Sequence, residues 1–133
     1  MPSASPDLIC VDPARVAEFW PYAYGFVKSA IDRTQLSEFK DIEREVLRGT
    51  YLLWLATGEN GIEGAGVTQQ LKDAVVIVAW GGVDMPRWKH LVKKIEDYAA
   101  AEGCKRVRIY GRRGWERVLD GYSATHVILE KSL

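Results

Sequence analysis

The turn Gly81-Gly82 is where this chain could do chemistry. It closes the apolar run at 74–80 (Ala-Val-Val-Ile-Val-Ala-Trp) and stands just ahead of Pro86, where a helix is expected to open. A strand that feeds a glycine turn and then a helix leaves backbone N–H groups unpaired at the helix start. The helix dipole favours negative charge at the same place. The junction therefore suits an anionic ligand, although two glycines also make an ordinary tight turn, and Asp84 reads as a helix cap. Charge adds to the signal. The chain is formally neutral, yet residues 1–85 hold seven Lys/Arg against twelve Asp/Glu, residues 86–117 ten against four, and residues 118–133 one against two. A basic segment directly after the glycine turn suits a phosphate-bearing ligand; the same side chains also read as solvated faces of two helices and a strand. Arg112, Arg113 and Arg117, with Trp115 among them, could form a basic, aromatic-lined patch for a nucleotide phosphate, a nucleic acid or a protein. They could equally flank a helix whose apolar face is Trp115, Val118 and Leu119.

Other chemistries find little footing. Cys10 and Cys104 lack CxxC or Cys/His spacing and read as small buried hydrophobes near strand ends. His90 and His126 have no second ligand or acid partner at useful spacing, so no metal site and no Ser/His/Asp arrangement is expected. The longest apolar run has seven residues, far short of the roughly 20 that span a bilayer. The start, Met-Pro-Ser-Ala-Ser-Pro, lacks a basic and an apolar stretch, so the expected location is cytoplasmic. Net neutrality without a known nucleic-acid module places nucleic-acid binding last among the readings.

The elements that position these residues follow from periodicity. Residues 1–7 are expected to be a disordered N-terminus and 8–133 one domain. A short strand at 8–11 ends at Asp12-Pro13, an N-cap with proline at the first helical position. Val16, Phe19, Trp20, Ala23, Phe26, Val27 and Ala30 recur at helical spacing, with a kink or restart expected at Pro21. A second helix fits 37–47. The period then changes to strands at 50–57, 62–71 and 74–80, the first two joined by the hairpin turn Gly58-Glu59-Asn60-Gly61. Apolar runs at 51–56 and 74–80 call for a sheet covered on both faces. A helix at 86–102, a strand at 105–110, a short helix and a closing strand after Gly121-Tyr122 complete the order β-α-α-β-β-β-α-β-α-β. The fold class is α/β (α+β), with a mixed, mostly antiparallel sheet and helices on both faces.

This order resembles the GNAT superfamily of N-acyltransferases over about residues 8–133. Gly103-Cys104-x-x-Val107-x-Ile109, then Gly111-Arg112-x-Gly114-Trp115, is similar to small, degenerate GNAT-like proteins encoded in phages and prophages. Leu53-Trp54-Leu55 and Gly64-Ala65-Gly66-Val67-Thr68 fit the same picture. The resemblance implies transfer of an acyl group from acetyl-CoA or another acyl-CoA to an unknown amine acceptor. It implies cofactor binding by Val78, Trp80, Gly81, Gly82 and Val83, with Arg112 near the nucleotide phosphate. It places the base among Glu59 and Glu63 beside the hairpin, where the family often carries one. The family's thiolate acid is frequently a tyrosine four residues before the Gly-Phe/Tyr pair. That position here is Arg117; Tyr122 or Tyr110 could substitute, although a tyrosine at a strand edge also reads as core. The phosphate loop also departs from the family's Arg/Gln-x-x-Gly-x-Gly/Ala form. The alternative expectation is therefore a catalytically inactive GNAT-fold interaction or assembly protein of phage or prophage origin, acting as a homo-oligomer or with a phage protein partner.

Overall fold

The structure, a computed structural model, describes residues 7–82, 91–111 and 115–133. Strand β1 (Asp7–Cys10) runs into Asp12, whose side chain accepts a hydrogen bond from the Ala14 N–H at 2.9 Å. That cap, with Pro13 at the first position, starts a 3-10 turn (Pro13–Arg15) leading into α1 (Val16–Thr34). The buried side of α1 is the expected stripe: Val16, Trp20, Ala23, Val27, Ala30 and Ile31. Helix α1 does not restart at Pro21; it runs through as one helix. Proline sits near the N-terminus, where only the bond to the Ala17 carbonyl is lost. The helix ends at Gln35, in the left-handed conformation at φ 55°, with its N–H donating to the Ile31 carbonyl. Helix α2 (Phe39–Leu47) buries Ile42 and Val46 and begins two residues later than expected. Trp20 fastens the two helices: its indole N–H donates to Glu43 Oε2 at 2.8 Å and its ring stacks on Phe39 with centroids 6.1 Å apart.

The sheet has the order β1-β2-β3-β4-β5, with β2 (Leu52–Gly58), β3 (Gly61–Gln70), β4 (Ala74–Gly82) and β5 (Arg106–Ile109). Strands β1 to β4 are antiparallel; β4 and β5 are parallel. Helix α3 (Val92–Ala101) joins β4 to β5, and α4 (Trp115–Val118) follows β5. The start of α3, expected at 86, lies outside the described residues. Alternation along each strand divides the core into two layers. Leu53, Leu55, Val67 and Val76 pack under α1 and α2, while Trp54, Val75, Ile77 and Trp80 pack with Ile95 of α3 and Leu119. Both faces of β2 and β4 are covered, as their near-continuous apolar runs require. Trp54 closes the second layer, its N–H donating to Thr68 Oγ1 at 2.9 Å and its ring meeting Tyr98 edge-on.

Two further expectations are overturned. No closing strand forms after Gly121-Tyr122; residues 122–133 have no regular secondary structure, and the described order ends β-α-β-α. Strand-forming side chains do not make a strand without a partner edge. The tail stands off from β5 across a cleft, leaving Val127, Ile128 and Leu129 in water. Cys10 is exposed rather than core, because β1 is the outermost strand; its thiol pKa is raised by partial burial.

Candidate functional site

The site is made by an irregularity in β4. Opposite β3, Thr68 pairs with Ile77 and Val67 with Ala79, so Val78 is an extra residue with no partner. A bulge of this kind bends its strand and shifts the alternation of the side chains. Both effects are visible. Val76, Val78 and Ala79 all lie in the α1 layer, whereas Val75, Ile77 and Trp80 lie in the α3 layer. On the other side of β4, pairing with β5 runs from Ala74 opposite Arg106 to Ile77 opposite Ile109, and closes with the Tyr110 N–H donating to the Ile77 carbonyl at 3.0 Å. Beyond the bulge the strands part. Among the described residues, Val78 to Gly82 have no strand neighbour on the β5 side. The result is a V-shaped opening in the sheet, with a small cavity of about 20 Å³ lined by Ala30, Arg33, Thr34, Ala79, Trp80, Tyr110, Gly111 and Trp115.

The glycines around this opening have packing reasons. A Cβ on Gly81 would stand 2.1 Å from the Phe26 carbonyl oxygen, so α1 rests directly on this point of β4. A Cβ on Gly66 would meet Cε3 of Trp80 at 2.0 Å, so that glycine leaves room for the indole. A Cβ on Gly64 would lie 2.9 Å from the Gly81 carbonyl oxygen across the strand pair. Gly81 thus serves the close approach of α1 and β4 whatever else lies beside it.

A second bulge sits at the same end of the sheet. Ala56 pairs with Gly64 and Thr57 with Ile62, leaving Glu63 as the extra residue of β3. Gly64 faces Gly82, so Glu63 stands one residue from the end of β4. Its residue is half-buried and its Oε2 is fully buried. Glu59 lies in the two-residue turn before Gly61 (φ 90°) and is exposed.

The expected site residues therefore separate into groups. Val78, Trp80, Gly81 and Gly82 come together on the open segment of β4, and Glu63 reaches the same end of the sheet. Val83 and Arg112 lie outside the described residues. Tyr122 is elsewhere: half-buried against the α3 layer, its hydroxyl donates to Glu96 Oε2 at 2.6 Å. Burial first, and then that carboxylate, hold its pKa well above the ordinary tyrosine value. Tyr110 lines the opening itself. Arg33 and Thr34, from the last turn of α1, were not anticipated. Their sequence signal is only a basic and a hydroxyl residue at a helix end, and the contact with β4 that gives them meaning is tertiary. Among the described residues no group of three His, Cys, Asp or Glu side chains could hold a metal ion, and no helix is long and apolar enough to cross a membrane.

No family model matches the sequence, and no curated protein matches it. The fold does match solved structures. An aminoglycoside acetyltransferase from an uncultured soil metagenomic sample, solved with sisomicin, superposes with a TM-score of 0.69 at 10% identity, covering 96% of this chain and 95% of that one. A GNAT family acetyltransferase of Staphylococcus aureus gives 0.62 at 14% identity, covering 97% and 99%. A predicted acetyltransferase of Clostridium acetobutylicum, solved with acetyl-CoA, gives 0.55 at 10% identity, covering 96% of each chain. The fold of this chain is that of GNAT acetyltransferases.

Proposed function

We propose that the chain is an acyl-CoA-dependent N-acyltransferase that holds the pantetheine arm of its acyl donor in the opening between β4 and β5. The observation that carries this reading is the open backbone edge from Val78 to Gly82, produced by the bulge at Val78. A buried strand edge demands hydrogen-bond partners. The amide-bearing pantetheine arm can supply them as an added strand does. Arg33, at the mouth beside Tyr110 and Trp115, gives the opening a cation that suits a phosphorylated ligand. The solved acetyl-CoA complex of the Clostridium acetobutylicum protein, which shares the fold, supports the same class of ligand.

The donor brings an acyl thioester. Transfer forms a bond from the acceptor nitrogen to the thioester carbonyl carbon and breaks the carbon–sulfur bond. The nitrogen gives up a proton and the departing thiolate takes one. Glu63, on the β3 bulge at the same end of the sheet as Gly82, is assigned the first proton, with Glu59 nearby in the turn. Tyr110 is assigned the second, because it lines the opening whereas the Tyr122 hydroxyl is bound to Glu96. The backbone amides of β4 are assigned the polarisation of the thioester carbonyl.

The test is a thermal melt with and without acetyl-CoA, with calorimetry at two salt concentrations. A ligand at 100 times its dissociation constant adds about 2.7 kcal/mol, which is on the order of 10 °C for a domain of this size. A shift of that order, weakening as salt rises, supports the reading. A well-folded protein with no shift and no heat of binding removes it.

A further inference from the structure

Strand β5 carries its cations on one face. Val107 and Ile109 pack in the α3 layer, so Arg106 and Arg108, at the alternate positions, project on the α1 side of the sheet. The pairing agrees, since Arg108 stands beside Val76, which lies in the α1 layer. Tyr110, two residues on, continues the row and is 36% exposed. Arg33, at the end of α1, and Lys105, at the foot of β5, line the same cleft as these three. Their lack of partners sets these cations apart. Elsewhere Arg15, Lys28, Arg44, Lys93 and Lys94 each pair with a carboxylate. Among the described residues Arg33, Lys105, Arg106 and Arg108 pair with none. Arg106 and Arg108 are about 7 Å apart along the strand, and like charges so placed repel.

We infer that this face binds single-stranded nucleic acid, with phosphodiesters on Arg33, Lys105, Arg106 and Arg108 and a base stacked on Tyr110. The chain's formal neutrality hides the site, because it counts charges without regard to which are already paired. Nothing in the chain neutralises the row. The carboxylates of the cleft, Glu96, Glu116 and Asp120, belong to α3 and the α4 segment, which pack in the opposite layer, and Glu96 is held by Tyr122. Residues 122–133 bring one carboxylate side chain, Glu130, and beside it one cation, Lys131. Three features select the occupant. Four unpaired cations match a ligand with several spaced anions, where one phosphate would engage one or two of them. An aromatic ring follows the arginines on the same face, the combination that tracks a phosphate backbone and stacks its bases. The cleft has a volume of about 1520 Å³, above the roughly 300–1,000 Å³ of small-ligand pockets, and a walled groove admits a single strand where a rigid duplex would not enter. Arg106 and Arg108 do not line the opening assigned to the acyl donor, so binding here is independent of that assignment.

The test is fluorescence anisotropy with labelled oligo-dT and oligo-U of about 12 nucleotides, beside a duplex and a poly-glutamate peptide of matching length. Four neutralised phosphates give a slope of log affinity on log salt of about −2.8, so affinity is expected to fall about 50-fold between about 50 and 200 mM salt. Arg106→Gln with Arg108→Gln is expected to bring the slope to about −1.4 and to leave any acetyl-CoA melting shift as in the native chain. Tyr110→Ala is expected to weaken binding about 10-fold with the slope kept. Equal affinity for the two single strands supports recognition through phosphate and base, and a preference for oligo-U supports RNA, read at its 2′-hydroxyl. A folded protein that binds neither strand at the lower salt overturns the inference. So does tighter binding of the duplex or of the peptide, which makes the face one for a double helix or an acidic protein, or full displacement by millimolar inorganic phosphate. If the double variant does not fold, the salt slope and the competitor ranking of the native chain decide.

Discussion

Replacing Gly81 by alanine separates the two roles that a glycine at the end of β4 could have. The added Cβ would stand 2.1 Å from the Phe26 carbonyl oxygen and 2.9 Å from its carbon, where ordinary contact begins at 3.4 Å. The obstacle is backbone inside a helix and cannot rotate away, so α1 must retreat by more than about 1 Å. That retreat loosens Ala23 and Val27, which are fully buried between α1 and the sheet. Overpacking of this kind costs about 1–3 kcal/mol, and the loosened layer adds to it, so about 3 kcal/mol is expected. For a domain of this size that is a fall of roughly 10 °C in Tm. Gly25 provides the control. It lies inside α1, and an added Cβ there meets nothing within 4 Å. Gly25→Ala is therefore expected to stabilise by about 0.5–1 kcal/mol, through the helix propensity gained. Scanning calorimetry of both variants measures the contrast. A Gly81→Ala protein melting within about 2 °C of the parent would refute the packing argument, since the expected loss of about 3 kcal/mol would be missing.

Three further outcomes are expected. Thr68→Val keeps the shape of a buried side chain but leaves the Trp54 N–H without its acceptor; urea unfolding is expected to show a loss of about 1–3 kcal/mol, with Thr68→Ser recovering most of it. The Tyr122 phenol has a raised pKa, so its contribution is fully present below the ordinary tyrosine value of about 10 and declines as pH rises above that value. Stability followed from neutral pH into the alkaline range should therefore fall beyond about pH 10, and Tyr122→Phe should flatten that fall; an equally steep fall in the variant would show that other groups cause it. If the chain transfers acyl groups as proposed, Tyr110→Phe lowers kcat by about 100-fold while the dissociation constant for acetyl-CoA stays within a factor of two or so; a matching loss of affinity would make Tyr110 a binding residue instead.

How much of this was legible depends on which residues settled each feature. Element types were readable because their periods are strong. The stripe from Val16 to Ile31 and the runs 51–56 and 74–80 leave few alternatives, and strand and helix ends came within a few residues. The hairpin at Glu59-Asn60 was readable from its flanking glycines. The bulges were not. Nothing in Ala-Val-Val-Ile-Val-Ala-Trp marks Val78 as the unpaired residue, because a bulge in a run apolar on both faces breaks no visible alternation. The glycines misled for a related reason. Gly81 drew notice as part of an anion-binding turn, but its lack of a Cβ is explained by Phe26, 55 positions earlier in the chain. The tail failed in the opposite direction: its composition favours a strand, yet its pairing depends on what lies beside β5.

The opening in the sheet and the open edge of β5 have a common origin. Because β4 bulges at Val78, β5 can follow it only from Ala74 to Ile77. A strand limited to four residues gains little from one neighbour. Among the described residues no strand pairs with its far edge. Among the described residues the bulge thus leaves Val78 to Gly82 without a strand neighbour on that side, and leaves β5, like β1, a four-residue strand with one neighbour.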